Sequence, residues 1–279
     1  MEFKSEDGLT HFTDTFKKYK ALLLELTRKD IKLKYRDSWL GILWSFVQPL
    51  LTIAVLSVVF SSIFGRQIQG FSCYPIYLFS GRLLFEFFGA STKKALGSFR
   101  ANAAIMKKVY VPKYIYPLAG IFSNFITLAI SLICFVAVWI FFRLTGFSGG
   151  DGLSVNAYAL LFFVPLFLLL VFVVGIGFIL AVLQVYFRDI KYMWDVFCTL
   201  LFYMVPIIYT IDRIKTDWTR FIIEANPLYS IIQLFRQCVL YGQPMDNKLL
   251  LHAFAWSFGA LLVGIYIYNK KSDDLIFHL

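Results

Sequence analysis

The 279 residues are 59% hydrophobic and only 16% charged, with a mean hydropathy of +0.70 and a formal net charge of +10. A soluble globular chain carries about 45–50% apolar and about 25% charged residues. Composition therefore excludes an ordinary water-soluble domain and predicts an all-α membrane protein with several spans. The basic excess is typical of cytoplasmic loops. Because no basic run interleaved with aromatics lies outside the membrane-flanking positions, we expect no nucleic-acid binding.

The first 38 residues are predicted to form a cytoplasmic N-terminus that contains an amphipathic helix. Residues 1–20 mix acidic and basic side chains and lack the apolar stretch of a signal peptide. From Phe16 to Tyr35, leucines and isoleucines alternate with Lys and Arg. An apolar stripe with a cationic rim is typical of a helix lying in the membrane interface. A solvated helix packed on a partner is the alternative, and the two are compatible.

Residues 39–268 are predicted to form a domain of six transmembrane helices, because a bilayer core of about 30 Å needs about 20 apolar residues per helix. The predicted spans are 40–64, 74–92, 114–142, 155–186, 193–211 and 249–268. The fourth contains Gly175 and Gly177, whose small size would let a neighbouring helix approach closely. The fifth contains Pro206.

Residues 212–247, between the fifth and sixth spans, are predicted to form an external re-entrant helical hairpin. Two apolar, helix-like stretches are separated here by Glu224-Ala225-Asn226-Pro227. Each stretch is too short to cross the bilayer by itself, so a hairpin fits better than two further spans. We call residues 212–247 the external hairpin. Residues 269–279 are a short tail.

The distribution of Lys and Arg predicts the orientation. Most of the 27 basic residues fall in the first 38 residues, between residues 93 and 113, at positions 188 and 191, and at positions 270 and 271. The positive-inside rule places these four segments in the cytoplasm. Six spans put both chain ends on one side, so we expect cytoplasmic N and C termini.

The most informative stretch is the basic segment, residues 98–117, between the second and third spans. Its cations, Arg100, Lys107, Lys108 and Lys113, are costly in hydrocarbon, so it must lie in water or at headgroups. Residues 101–109 have helical composition, and Pro112 and Pro117 are predicted to break that helix. A short helix that ends at a fixed bend beside the next span can push on that span.

Signatures of an enzyme are absent from the sequence. It contains no G-x-x-x-x-G-K-[ST] phosphate loop and no H-E-x-x-H pair, and its three histidines are scattered. The four cysteines show no C-x-x-C spacing. We therefore predict no catalytic residues, no metal site and no cofactor in this chain. Cys73 and Cys238 both fall on the predicted outer side, so a disulfide and free thiols both remain open.

The second span contains two ionisable residues, Arg82 and Glu86, four positions apart. They lie on one face of a helix and can pair. An intramembrane charge is a functional candidate by default, and a structural ion pair near the outer interface is the alternative. Aromatic residues make up 19% of the chain. They could stack on sugar rings along a path, or form lipid-facing and interfacial belts.

Four stretches carry a resemblance to a known family. They are Tyr35-Arg36-x-Ser38-x-Leu40-Gly41-x-x-Trp44-x-x-x-x-Pro49, Asn102-x-x-Ile105-x-Lys107-Lys108-Val109-x-x-Pro112-x-x-x-x-Pro117, Tyr186-Phe187-Arg188-Asp189-Ile190, and Asn226-Pro227-Leu228 followed by Phe235-Arg236. In this order they resemble the transmembrane permease of ATP-binding-cassette exporters of polysaccharides, the family that serves O-antigen, capsule and teichoic acid export. The similarity covers about residues 16–270.

The resemblance implies a homodimer that works with two separate nucleotide-binding subunits, which would hold ATP and Mg. It implies a coupling helix over about 98–112, a headgroup-facing interface near the first span, a channel between protomers and a hairpin at the exit. Mapped onto this chain, the coupling residues are Arg100, Asn102, Ile105, Lys107, Lys108 and Pro112; the interface residues are Lys34, Tyr35, Arg36 and Trp44; the channel candidates are Arg82, Phe85 and Glu86; and the hairpin residues are Glu224, Asn226, Pro227 and Arg236.

One departure concerns the channel lining. Such permeases tend to have an apolar residue and then Trp early in span two, where this chain has Arg82 and Phe85, with Glu86 following.

The predicted function is the permease subunit of an ATP-driven exporter that moves a lipid-linked polysaccharide from the cytoplasm across the inner or plasma membrane. The alternative is an ATP-independent secondary transporter or channel for a polar or amphiphilic solute. Such proteins usually show internal repeats with broken helices, and no convincing repeat is present. A membrane-embedded transferase would need clustered acid and base residues, which this chain lacks.

Overall fold

The computed structural model describes residues 8–36, 39, 41–64, 73–108, 111–146 and 156–271, and in these residues every regular element is helical. The α-helices are α1 (Gly8–Tyr35), α2 (Trp44–Phe64), α3 (Tyr74–Ala101), α4 (Ala103–Met106), α5 (Ile115–Thr145), α6 (Phe163–Tyr186), α7 (Ile190–Met204), α8 (Asp217–Glu224), α9 (Pro227–Val239) and α10 (Asn247–Lys271). Short 3₁₀ segments, Gly41–Leu43, Ala157–Phe162 and Ile211–Arg213, precede α2, α6 and α8. The predicted all-α class is confirmed.

Helix α6 is the centre of the bundle. It is apolar on all sides, and 67% of its most apolar window is buried, against 17% for α5 and for α10. A Cβ at Gly175 would collide with the backbone of Ala260 in α10, and one at Gly264 would collide with the backbone of Gly175. A Cβ at Gly177 would lie 3.0 Å from Ala95 of α3. The predicted close approach at Gly175 and Gly177 is confirmed, because only glycine leaves room for these neighbours.

Three helical segments among the described residues are long and apolar enough to cross a membrane: Ile115–Thr145, Ala157–Tyr186 and Asn247–Lys271. They match the predicted third, fourth and sixth spans. Helix α2 has a shorter apolar stretch, Trp44–Leu56, α3 carries Arg82 and Glu86, and α7 has 15 residues. The count of six spans therefore stays a prediction.

The predicted fifth span, 193–211, is not one helix. Helix α7 ends at Met204, and Val205 is extended, with φ −82° and ψ 133°. The cause is Pro206, whose ring disfavours the α conformation at the residue before it. The chain then continues without helical structure to the 3₁₀ segment Ile211–Arg213. We call residues 205–210 the α7 extension.

The basic segment also differs from the prediction. Helix α3 continues to Ala101, so the segment begins inside it, and the predicted helix over 101–109 is reduced to the single turn of α4. Asn102 interrupts the two, with φ −113° and ψ 12°, and its side-chain amide donates to the carbonyl of Ser98 at 2.9 Å. An asparagine side chain that bonds its own backbone competes with helix propagation. Val109 and Tyr110 lie outside the described residues.

Pro117 does not break a helix, contrary to the prediction. It is buried in the first turn of α5, which begins at Ile115. Proline is tolerated there because the first-turn N–H groups have no partner within the helix. Pro112 lies before this turn, and its carbonyl accepts from the N–H of Ile115 at 3.2 Å. The two prolines thus flank the start of α5.

The cysteines are all free and buried, so the alternative of a disulfide between Cys73 and Cys238 is wrong.

Candidate functional site: two ends of helix α3 and the groove beside it

The basic segment presents three of its four cations to solvent, and Lys113 is half-buried. Arg100, Lys107 and Lys108 are exposed, and Ile105 between them has 37% of its surface exposed. Asn102 and Pro112 are half-buried. The segment thus offers an apolar side chain surrounded by cations. This surface suits a partner that is polar or anionic and has an apolar contact at its centre.

Met106 anchors the same segment to the bundle. Only 7% of its surface is exposed, and it packs in a cluster with Phe99 of α3, Tyr116 of α5 and Val182 of α6. The single turn of α4 is therefore attached to the ends of three helices. Met106 therefore places the basic segment in close-packed contact with α3, α5 and α6.

Helix α1 packs beside the basic segment. Leu23 of α1 is buried with Ile115 and Ala119 at the start of α5. Lys94 of α3 places its ammonium 3.1 Å from the Asp30 carboxylate, and its alkyl chain covers Gly120, where a Cβ would lie 2.6 Å from the Lys94 Cγ. Helix α1 therefore joins α3 and α5 near the basic segment. Its placement in a membrane interface stays a prediction.

The predicted interface residues lie at the end of α1 and the start of α2. Lys34 and Arg36 are exposed, and Trp44 has 42% of its surface exposed. The side chain of Tyr35 lies outside the described residues. Lys34 and Trp44 also line a polar cavity of about 90 Å³ between α2, α3 and α5. We call it the polar cavity. Its other polar lining groups are Ser45, Gln48, Arg82, Glu86, Asn124, Thr127 and Ser131.

Arg82 and Glu86 share a face of α3, as predicted, but no ion pair joins them among the residues that the structure describes. The Arg82 guanidinium carbon lies 5.8 Å from the ring centre of Phe202 in α7. Its Nε is buried and has no hydrogen-bond partner in the described part of the chain. The alternative of a structural ion pair between these two residues is therefore not realised. The guanidinium instead lies against an aromatic ring of the neighbouring helix.

The predicted channel candidates line a second space, between α3 and α7. Its volume is about 450 Å³, and its polar and aromatic lining includes Arg82, Phe85, Glu86, Lys93, Thr199, Phe202 and Tyr203. We call it the α3–α7 groove. The rings of Phe85 and Phe202 meet edge to face with 5.3 Å between their centres. Lys93 pairs across the groove with Asp195 at 2.8 Å. The structure thus brings the three channel candidates together and adds aromatic and charged partners from α7.

Within the external hairpin, Asn226 and Pro227 have a local role. The Asn226 side chain accepts from the N–H of Leu228 at 3.0 Å, and Pro227 is the first residue of α9. This is an N-cap followed by proline, which sets the direction of α9. Glu224 is exposed and pairs with Arg220 at 2.8 Å. Burial, reinforced by the negative charge of Glu224, raises the pKa of Tyr229 to about 12.

Arg236 of α9 is the residue that the sequence described least well. It was predicted only as a residue of the external hairpin, with no role or position given, and none of its surface is exposed. Its guanidinium contacts Tyr77 and Ser80 at the start of α3 and carbonyls of the α7 extension. A Cβ at Gly81 would lie 2.6 Å from Arg236 Nη2. The partners Tyr77, Ser80 and Gly81 were missed, although tyrosine and small residues spaced along one face of α3 are a signal in the sequence.

No group of three or more potential metal ligands from His, Cys, Asp or Glu occurs in the described ranges.

The family model of the ABC-2 type transporter matches residues 21–240. The chain belongs to this family. The match begins in α1 and ends one residue after α9, so it includes the basic segment, the α3–α7 groove and Arg236. Membership identifies the chain as a multi-pass membrane permease of the ABC-2 type.

Three similar proteins are export or transport proteins. This ABC-2 chain is 31% identical over 253 residues to the O-antigen export system permease protein RfbA of Klebsiella pneumoniae, covering 89% of this chain and 91% of that one. It is 26% identical to an RfbA of Myxococcus xanthus, over 92% and 94% of the two chains. It is 21% identical to the polysialic acid transport protein KpsM of Escherichia coli, over 94% and 97%.

Proposed function

We propose that this ABC-2 chain is the permease subunit of an ATP-driven exporter that moves a lipid-linked polysaccharide from the cytoplasm across the cell membrane. The similarity to O-antigen export permeases and to a polysialic acid transport protein supports it, because these relatives cover nearly the whole chain. The cargoes in their names, O-antigen and polysialic acid, are different polysaccharides. The proposal therefore names the class of cargo, a surface polysaccharide, and not one polymer.

The arrangement in the membrane is six crossings with cytoplasmic N and C termini in the inner or plasma membrane. The exposed cations Arg100, Lys107 and Lys108, at one end of α3, support a cytoplasmic position for that end. Helix α7 is about 22 Å long at 1.5 Å per residue. Together with the α7 extension it is long enough for a crossing of a bilayer core of about 30 Å.

The observation that carries the proposal is the geometry of the basic segment. An exposed apolar residue, Ile105, lies among exposed cations, and the adjacent Met106 is buried among three helix ends. A separate ATPase subunit, which holds ATP and Mg, docks here. Two copies of the chain and two ATPase subunits form the complex. Closure of the ATPases on ATP displaces the basic segment, and Met106 passes the displacement to α3, α5 and α6.

The polymer passes along the α3–α7 groove. Phe202 and Tyr203 offer aromatic faces on which sugar rings stack, Phe85 supports Phe202 from the core, and Arg82, Glu86 and Lys93 offer hydrogen-bonding groups. The lipid phosphate of the cargo is attracted to Lys34 and Arg36 near the inner leaflet. Lys34 and Arg82 both line the polar cavity. The lipid phosphate moves from Lys34 through this cavity toward α3.

The test uses cells that depend on this exporter for their surface polysaccharide. The double variant Lys107→Glu, Lys108→Glu reverses charge at the docking surface, so we expect loss of ATPase copurification and at least tenfold less exported polymer, with normal membrane insertion. The matched control is Lys270→Glu, Lys271→Glu, which makes the same charge change on exposed residues at the end of α10.

The control should keep export within twofold of the native protein. Native-level export by the Lys107, Lys108 double variant would contradict the docking assignment. Export by the purified chain without any ATPase would support the alternative, an ATP-independent transporter.

A further inference from the structure

Arg236 is a fully buried cation whose hydrogen-bonding capacity is completely used. A guanidinium has five N–H donors in a fixed fork, and here each has an acceptor. Nε donates to Ser80 Oγ at 3.2 Å, Nη1 to Tyr77 Oη and the Pro206 carbonyl at 2.8 Å each, and Nη2 to the carbonyls of Tyr77 and Ile207 at 3.3 and 3.4 Å. The guanidinium also lies 3.6 Å from the ring centre of Tyr77, a cation–π contact.

These acceptors belong to two different elements. Tyr77 and Ser80 lie in the first two turns of α3, and Pro206 and Ile207 lie in the α7 extension. Arg236 itself lies in α9 of the external hairpin. One side chain therefore joins three elements at one end of the bundle.

The α7 extension needs such a partner. Its carbonyls lie outside a helix, and backbone groups without partners are very unfavourable in hydrocarbon. Side chains satisfy them in turn: Arg236 bonds the carbonyls of Pro206 and Ile207, Tyr74 Oη donates to Ile208 at 3.1 Å, and Tyr77 Oη donates to Tyr209 at 2.9 Å. Irregular backbone is tolerated at membrane depth where it is buried in protein, as here, or where it lines a water-filled cavity. Arg236 is the charged member of the set.

Helix α3 connects this site to the basic segment. It runs without interruption for 28 residues, from Tyr74 to Ala101, which is roughly 42 Å. One end carries the acceptors for Arg236, and the other end passes directly through Asn102 into α4. A continuous helix of this length is stiff, so displacement at one end is delivered to the other.

We propose that Arg236 is a positioning residue that fixes the external hairpin and the α7 extension to α3, so that force applied at the basic segment moves all three as one body. The inference rests on the proposed function, since the force comes from the ATPase. It assigns to one buried residue the link between the docking surface and the exit. In the absence of this link, ATP hydrolysis continues and the hairpin no longer follows α3.

Arginine is required for its geometry as well as its charge. Lysine is a point charge with three donors, so Arg236→Lys loses at least two of the five hydrogen bonds from residue 236. The guanidinium also needs the space that Gly81 leaves, because a Cβ at Gly81 would lie 2.6 Å from Arg236 Nη2. Gly81→Ala therefore displaces the guanidinium while it keeps the residue and its charge. Gly97 in α3 and Gly259 in α10 are matched controls, because a Cβ at either would meet no atom within 4 Å.

The experiment uses the complete complex with its ATPase subunits, reconstituted in vesicles with lipid-linked polysaccharide as the probe. ATP hydrolysis and export are measured on the same preparation. For Gly81→Ala and Arg236→Lys we expect hydrolysis within twofold of the native complex and export at least tenfold lower. Gly97→Ala and Gly259→Ala should keep both within twofold. A merely structural role would lower hydrolysis and export together, and that result would overturn the proposal.

A distance measurement reports directly whether the external hairpin is fixed to α3. Spin labels are placed at Ala101→Cys and Thr219→Cys, which are exposed positions at the far end of α3 and in α8. The native cysteines are buried and do not compete for label, and labelled subunits are diluted with unlabelled ones. We expect one narrow distance, the same with and without trapped nucleotide, and a broad distribution after Gly81→Ala. An unchanged distribution in Gly81→Ala would overturn the proposal.

If the native complex hydrolyses ATP and exports no polysaccharide, the proposed function fails. The spin-label distances then still test whether Arg236 fixes the external hairpin to α3. If the native complex exports and Gly81→Ala exports equally well, the role of Arg236 fails and the proposed function stands.

Discussion

The two ends of α3 use positive charge in opposite ways. In the basic segment, Lys107 and Lys108 are exposed, and their ammonium groups are available to a partner. At the other end, Arg236 is 0% exposed and donates all five of its N–H groups to this chain. An exposed charge contributes little to stability and much to association. A buried charge with complete hydrogen bonding positions the elements around it, and removing it leaves polar groups unpaired.

The largest effect is expected for Arg236→Met. This change removes the side-chain donor of the Ile207 carbonyl and the guanidinium partner of the Tyr77 and Ser80 hydroxyls, while the carbonyls of Tyr77 and Pro206 keep those hydroxyls as donors. Each buried polar group left unpaired costs about 1–3 kcal/mol. We expect stability to fall by about 3 kcal/mol or more, measured as a lower midpoint of thermal unfolding in detergent.

Arg220→Met is the matched control, because Arg220 lies in the same hairpin and pairs with Glu224 at an exposed position. Its midpoint should stay close to that of the native chain, as expected for a surface ion pair. Equal thermal midpoints for the Arg236→Met and Arg220→Met variants would contradict the claim that the buried arginine stabilises the hairpin more than the exposed one.

A smaller effect is expected for Met106→Ala, which tests the anchor of the basic segment. Met106 is buried against Phe99, Tyr116 and Val182, and truncation of a buried methionine costs about 2–5 kcal/mol. Because α4 lies at the edge of the bundle, we expect about 2 kcal/mol. The neighbouring Ile105→Ala, at a 37% exposed position, should leave the thermal midpoint nearly unchanged and weaken ATPase binding.

The pair of variants separates anchoring from docking. Loss of ATPase binding with Met106→Ala and not with Ile105→Ala would show that the exposed face of α4 is not the docking surface.

The smallest effect is expected for Asn226→Ala, which removes the N-cap of α9. The helix loses the acceptor for the N–H of Leu228, and loss of such a cap costs about 1 kcal/mol. Asn226→Ser keeps an oxygen acceptor and should restore the thermal midpoint. If the thermal midpoint of Asn226→Ala fell as far as that of Arg236→Met, the N-cap, and not the guanidinium, would be what fixes the external hairpin.

Much of the fold was predictable from local pattern. Long apolar stretches identify α5, α6 and α10, and the small residues Gly175 and Gly177 indicate a close helix approach, because hydrophobicity and side-chain size are properties of the residues themselves. The family resemblance was predictable from four short motifs. The breaks between helices were predicted less well. The helix predicted over 101–109 is interrupted at Asn102, Pro117 lies in the first turn of α5, and α7 ends before Pro206. These positions depend on which of several competing local conformations the neighbouring residues favour.

The candidate site was predictable in part. Exposure of Arg100, Lys107 and Lys108 follows from the cost of burying charge in hydrocarbon. The separation of Arg82 from Glu86 does not follow from their spacing, because the Phe202 ring that lies against Arg82 comes from a helix more than a hundred residues later in the chain.

By itself, the sequence determined that this chain is a helical membrane protein with a basic, solvent-facing segment, because composition and charge set the free energy of transfer from water to lipid residue by residue. Only the tertiary structure decided that Arg236 is buried, that Gly81 makes room for it, and that α3 links it to the basic segment. The reason is physical: a hydrogen bond depends on the distance and direction between atoms, and those are set when elements far apart in the chain pack together.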